Sequence, residues 1–136
     1  MADFTVKFTF PERVIEAYTY GDCWALALAI HKITDLTLVT VANKGTPEQW
    51  SHVAVRYGLK HVIDIEGVHR VDYWLERWDG YTWGPGAPID VDTTPQTLLE
   101  QIKGDGTGKL YPEYAPARYA KKIITMLGLD AQNVVG

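Results

Sequence analysis

Eight consecutive residues, Cys23-Trp24-Ala25-Leu26-Ala27-Leu28-Ala29-Ile30, carry no charge and are followed at once by His31-Lys32. Alanine and leucine favour helix strongly, and Asp22 stands where a helix N-cap belongs. A helix that is apolar nearly all round cannot lie on a surface. It has to be central, with other elements covering it on several sides. A length of 136 residues with 46% hydrophobic content supplies one such core and is short for two. The expectation is a single domain over 1–136.

The flanking sequence indicates what does the covering. Thr5 to Phe10 alternates as a short strand that Pro11 ends, and Pro11 then opens a helical turn through Ala17. Leu36 to Val41 is β-branched and alternating, hence a strand. Thr46-Pro47-Glu48-Gln49 has the form of a capping box and predicts a short helical turn. His52 to Arg56 and Lys60 to Ile65 flank Tyr57-Gly58-Leu59 and predict a hairpin. Asp72 to Trp78 reads as a helix and Asp79 to Pro88 as a loop rich in Gly, Pro and aromatics. Two amphipathic helices follow, one from Thr94-Pro95 burying Leu98, Leu99 and Ile102, the other burying Ala120, Ile123, Ile124 and Leu127. Between them, Gly104-Asp105-Gly106-Thr107-Gly108 reads as a solvated loop. No Gly-Lys-Ser/Thr sequence follows it to make a phosphate cradle.

A formal net charge of -4 gives no pull toward phosphate backbones or anionic lipid, so neither nucleic acid nor membrane is an expected partner. The N-terminus has no basic stretch leading into an apolar run, and Cys23 to Ile30 is too short to cross a bilayer. A single cysteine forms no internal disulfide, which fits a reducing, cytoplasmic compartment, bacterial or that of an infected cell. That lone thiol is either packing or chemistry.

Chemistry is favoured by where Cys23 sits. Backbone N–H groups at a helix N-terminus stabilise a thiolate, while the neighbouring carboxylate of Asp22 works against it unless it is occupied in capping. A paired histidine therefore matters more than the helix end. On the first strand of the hairpin, His52, Ala54 and Arg56 share one face; on the second, Lys60, Val62 and Asp64 do. Matching the apolar faces requires an even register, and placing Gly58 at the turn centre sets His52 directly opposite Asp64. Opposed residues have Cβ atoms about 4.5–5.5 Å apart, close enough for a carboxylate to bond an imidazole N–H. Asp64 would fix the tautomer and His52 would take the thiol proton, with the Cys23 helix packed against the same face beside the small Ala54.

Gly21-Asp22-Cys23-Trp24-Ala25-Leu26 resembles the Gly-Ser-Cys-Trp-Ala-Phe segment around the papain nucleophile, and Gly21-x-Cys23-x-x-x-Ala27 is similar to the transglutaminase-like core. His52-Val53-Ala54-Val55-Arg56-Tyr57-Gly58 resembles the His-bearing strand of papain-like peptidases. Asp64 stands where that family has Asn and where transglutaminases and arylamine acetyltransferases have Asp. The likeness covers roughly residues 20 to 68. It implies an α+β papain-like (cysteine proteinase-like) core: a nucleophile helix on a small antiparallel sheet, with helices added at the C-terminal end. It also implies acyl transfer without a cofactor, as in a thiol protease, deamidase or transglutaminase-like transferase, acting on a protein or peptide or on a small acyl or amide compound.

The chain departs from the family in having no Gln before Gln49, where papain-like enzymes use one to hold the oxyanion. The backbone N–H of Cys23, with a hydroxyl from Tyr18, Thr19 or Tyr20, is the substitute. The second lobe of a full peptidase is missing, so the cleft is expected to be small. Trp24, Trp74, Trp78 and Trp83 are candidates to line it or to form a partner surface. His31 is expected to bond helix-end carbonyls, His61 to face the core and His69 to lie on the surface. A metal site is not expected, because His61 points away from His52 and Asp64. The rival is a catalytically inactive scaffold that binds protein, such as a phage or bacterial effector.

Overall fold

The structure is a computed structural model and describes residues 4–79, 86–105 and 115–129. Its strands are β1 (Phe4–Lys7), β2 (Leu38–Asn43), β3 (Thr46–Tyr57), β4 (His61–Asp64), β5 (Gly67–Arg70) and β6 (Pro88–Thr93). The helices are α1 (Glu12–Tyr20), α2 (Cys23–Thr34), α3 (Val71–Arg77), α4 (Pro95–Asp105) and α5 (Pro116–Leu127). All strand pairs are antiparallel, in the order β1-β5-β4-β3-β2-β6. The class is α+β, and β2 through β5 form a meander of consecutive hairpins.

Alternation along these strands divides the core into two layers. Leu38, Val53, Val55, Ile63 and Val68 face one side, where α2 supplies Leu26 and Ile30, α4 supplies Leu98 and Ile102, and α5 supplies Ala120 and Ile123. Val39, Val41, Ala54 and Val62 face the other, beneath Trp74 and Trp78 at and just after α3. Every residue of β2 is buried, as a strand covered on both faces requires. The apolar α2 sits between the sheet and α5, with Cys23 to Leu28, Ile30 and Thr34 all buried. Its last turn closes as expected: the His31 ring donates from Nδ1 to the Leu36 carbonyl at 2.7 Å. Among the described residues, no helix is long and apolar enough to cross a membrane.

Several elements differ from expectation. Thr46 to Gln49 belongs to β3 and not to a helical turn. It returns on β2 through Lys44-Gly45, and the register shifts between Asn43↔Thr46 and Ala42↔Trp50, an irregular stretch in which Pro47 needs no ladder donor. The sheet also continues beyond the hairpin into β5, and β6 begins at Pro88, where a loop was expected to end. Residues 80–85 of that loop, with Trp83, lie outside the described residues. So do 106–108 of the glycine-rich segment, whose Gly104 and Asp105 extend α4.

The turn into β5 depends on Gly67. Its φ of 152° and its position against β1 leave no space for a side chain, since a Cβ would lie 2.0 Å from the Val6 carbonyl oxygen. Backbone cannot yield as a flexible side chain does. Gly67→Ala is therefore expected to lower stability by about 2–4 kcal/mol, combining backbone strain with a forced separation of β1 from β5. Urea unfolding checks it: the midpoint falls while the slope stays constant.

Candidate active site

Cys23 is the first residue of α2. The chain arrives there by a sharp corner in which the Gly21 and Asp22 N–H groups both donate to the Ala17 carbonyl, at 3.1 and 2.8 Å. The Asp22 carbonyl then accepts from Ala25 at 2.9 Å and Leu26 at 3.4 Å, which starts the new helix. The Asp22 side chain makes no capping hydrogen bond, contrary to expectation, although it is buried. Cys23 is 4% exposed and its thiol is free.

His52 follows directly on the irregular part of β3, paired with Val41. It is buried on the face that carries Ala54 and Val62, as parity required. The partner pairing is two residues away from expectation. Gly58 takes a left-handed φ of 74° at the first turn position and not at the centre, so Tyr57 pairs with His61, and Val55 with Ile63. Continuing that ladder brings Asp64 opposite Ala54. An even slip leaves every face unchanged, and the diagonal neighbours still meet: His52 Nε2 donates to Asp64 Oδ2 at 3.0 Å.

Asp64 is held from four directions. The Glu66 N–H and His69 Nε2 donate to Oδ1 at 2.9 and 2.7 Å, while His52 Nε2 and the Trp74 indole N–H reach Oδ2 at 3.0 and 3.3 Å. Burial alone would raise this carboxyl's pKa, but His69 and His52 outweigh burial and hold it well below the usual carboxylate range. His69 is thus a core residue at 2% exposure, not the surface residue expected. It was missed because Gly67 was read as the end of the sheet. The signal was present: Gly67-Val68-His69-Arg70 follows Ile65-Glu66 as a third strand, and the same alternation that paired His52 with Asp64 turns His69 to that face.

The second nitrogen of His52, Nδ1, is buried and has no hydrogen-bond partner among the described residues. With Nε2 taken by Asp64, Cys23 lies close enough to act electrostatically on the ring. Burial by itself would lower the His52 pKa. Cys23 and Asp64 together overcome burial and push it up to about 9. The proton therefore belongs on the ring at neutral pH, between a carboxylate and a sulfur.

Helix α2 packs on the Val53 and Val55 face, not on the face of His52 as expected; only its first residue reaches the imidazole. The His52 face is covered by tryptophans. Trp78 stacks on the ring at 4.2 Å and 14°, and Trp74 lies at 6.0 Å. Trp74 and Trp78 are buried, as is Trp24 within the α2 core, so none of the three forms a partner surface. Of the candidate oxyanion hydroxyls, Tyr18 is buried in the same core cluster as Cys23, its ring 5.8 Å from that of Tyr119, and Thr19 is buried. Tyr20 is 58% exposed, with its ring 6.3 Å from that of Trp78. His61, expected in the core, is half-exposed.

Asp64, Glu66 and His69 bring potential metal-ligand atoms within 4.8 Å of one another. Both Asp64 oxygens already accept hydrogen bonds, and His69 commits Nε2 to one of them. Asp64 and His69 are thereby committed to each other, while Glu66 Oε1 is buried without a hydrogen-bond partner among the described residues and lies 3.7 Å from the Arg77 guanidinium. Comparison of the chain with protein-family models, curated proteins and solved structures finds no match.

Proposed function

We propose that this chain is a thiol-dependent acyl-transfer enzyme with Cys23 as nucleophile, His52 as acid and base, and Asp64 as the group that orients the imidazole. The observation that carries the reading is the buried His52 ring, with Nε2 on a buried carboxylate, Nδ1 without a hydrogen-bond partner among the described residues, and the only cysteine acting on it electrostatically. Asp64 supports a protonated ring, and a protonated ring supports a thiolate beside it. A papain-like arrangement is the fold reading that accompanies this one. It rests on the order Cys, His, Asp and on a nucleophile at the head of a buried helix beside an antiparallel sheet.

In this mechanism the Cys23 sulfur attacks an amide, ester or thioester carbonyl and forms a C–S bond. His52 gives its proton to the departing group as the original acyl bond breaks. Water or an amine then attacks the thioester carbonyl, His52 takes the proton released, and the C–S bond breaks to return the sulfur. The backbone N–H of Cys23, with a hydroxyl from Tyr18, Thr19 or Tyr20, would serve the oxyanion. The substrate is expected to be a protein, a peptide or a small acyl compound. Cys23 is 4% exposed, so a substrate reaches the sulfur only if the packing around it opens.

Complete burial of Cys23 and His52 favours a second reading, an inactive scaffold whose His-Asp cluster only holds the sheet and α3 together. Alkylation separates the two. With one cysteine, intact mass reports the rate of iodoacetamide reaction at a single atom. The enzyme reading predicts fast alkylation persisting at mildly acidic pH, and a loss of about a hundredfold there in His52→Ala. Slow, ordinary thiol behaviour that His52→Ala leaves unchanged would establish the scaffold instead.

A further inference from the structure

We propose that His69 is a positioning residue of this thiol site: by donating to Asp64 Oδ1, it locks the carboxylate in the rotation that presents Oδ2 to His52. The inference rests on the acyl-transfer reading and extends it to a fourth side chain. A carboxylate can turn about its Cβ–Cγ bond, and one hydrogen bond to His52 would not stop it. The two oxygens of Asp64 are instead assigned to different histidines. His69 Nε2 lies 2.7 Å from Oδ1, and His52 Nε2 lies 3.0 Å from Oδ2.

The geometry divides the labour. The Glu66 N–H also holds Oδ1 at 2.9 Å, but it belongs to the tight turn after β4 and is only two residues away. His69 comes from the next strand, paired with Val62, and so ties the carboxylate to the sheet itself. Trp74, from α3, reaches Oδ2 at 3.3 Å, too long to set the rotation alone. Any rotation of the carboxylate has to break the shorter His69 bond as well as the His52 bond. The imidazole of His52 would then lose the partner that fixes its orientation beside Cys23.

Charged and titratable groups from every neighbouring element act on this network: Cys23 from α2, His52 from β3, Asp64 from β4, Glu66 from the following turn, and Arg77 from α3, whose guanidinium lies 3.7 Å from Glu66. Bulk removal of His69 would disturb more than rotation. The informative variants are therefore polar. In His69→Gln, the amide nitrogen sits close to the position of Nε2 and can still donate to Oδ1. In His69→Asn it falls short of that position.

The test is the rate of Cys23 alkylation by iodoacetamide against pH, for wild type, His69→Leu, His69→Gln and His69→Asn, each checked by circular dichroism and thermal midpoint. The expected result is a rate for His69→Leu about tenfold lower at pH 6, its acid limb moved toward that of an ordinary thiol. His69→Gln should stay within about threefold of wild type. A folded His69→Leu with the wild-type profile would overturn the inference. Should His69→Leu not fold, the polar pair decides: Gln retaining the profile while Asn loses it supports positioning, and equal profiles refute it. A wild-type profile that is slow and insensitive to His52→Ala would remove the acyl-transfer reading itself, a result seen before any His69 variant is compared.

Discussion

Asp64→Ala is expected to lower the folding free energy by about 3–5 kcal/mol, the cost of leaving buried charge without its counterion. The loss is large because one side chain serves four donors from three separate elements and one turn. Without it, His52 must give up its proton or remain charged in an environment from which water is excluded, and His69 loses the acceptor of its Nε2 hydrogen bond. Against a total of about 5–15 kcal/mol for a small domain, that is at least about a fifth of the margin. Urea titration measures it directly. Asp64→Asn should fall between, because the amide keeps one acceptor oxygen while turning N–H groups toward one of the imidazoles. A cost below about 1 kcal/mol for Asp64→Ala would mean that His52 is neutral and needs no carboxylate.

Stability should also depend on pH with a defined shape. The His52 pKa is raised from 6.5 to about 9 on folding, so its contribution is fully present below pH 6.5, declines above it and is lost as pH rises through about 9. That interval corresponds to about 3 kcal/mol. The Asp64 pKa moves the opposite way, so its contribution is present above the ordinary carboxylate range and is lost as pH falls below it. Maximal stability is expected on a plateau between roughly pH 4 and 6.5, with an alkaline limb unusual for an acidic protein. Urea midpoints collected across pH would trace it. In Cys23→Ser the alkaline limb should be shallower, because the sulfur is the foremost group holding the His52 proton. An alkaline limb that ignored Cys23 would disconnect the thiol from the ring.

Parity proved more legible than register. Strand alternation placed His52 and Asp64 on one face, and a two-residue error in the turn did not disturb it, because side chains repeat every two residues. Turn geometry was the part sequence could not supply. Whether Gly58 is the first or the middle residue of a loop depends on a left-handed φ that several positions could have hosted. The buried α2 was predicted from composition alone, yet composition could not say which face of the sheet it covers. Apolar Val53, Val55 and Ile63 attract it, while the face of His52 and Asp64 takes Trp74, whose N–H reaches Asp64, and Trp78, whose ring stacks on His52. Strand β6 was hidden for a different reason. Ile89 and Val91 alternate with Asp90 and Asp92, but the aspartates suggest a loop until Arg56 is found bonding both, at 2.6 and 2.5 Å.

The meander from β2 to β5 also bears on the order in which the molecule assembles. His52, Asp64 and His69 lie on consecutive hairpins, and Trp74 and Trp78 follow immediately, so this cluster needs only short loops to close. Contacts between sequence neighbours form early, while distant pairings wait for the entropy of long loops to be overcome. Cys23 arrives from upstream on a helix that must also find α5 near the far end of the chain. A nascent or refolding molecule would then hold its imidazole and carboxylate in place before it holds its sulfur, and the thiol would stay inert until the last long-range contacts close.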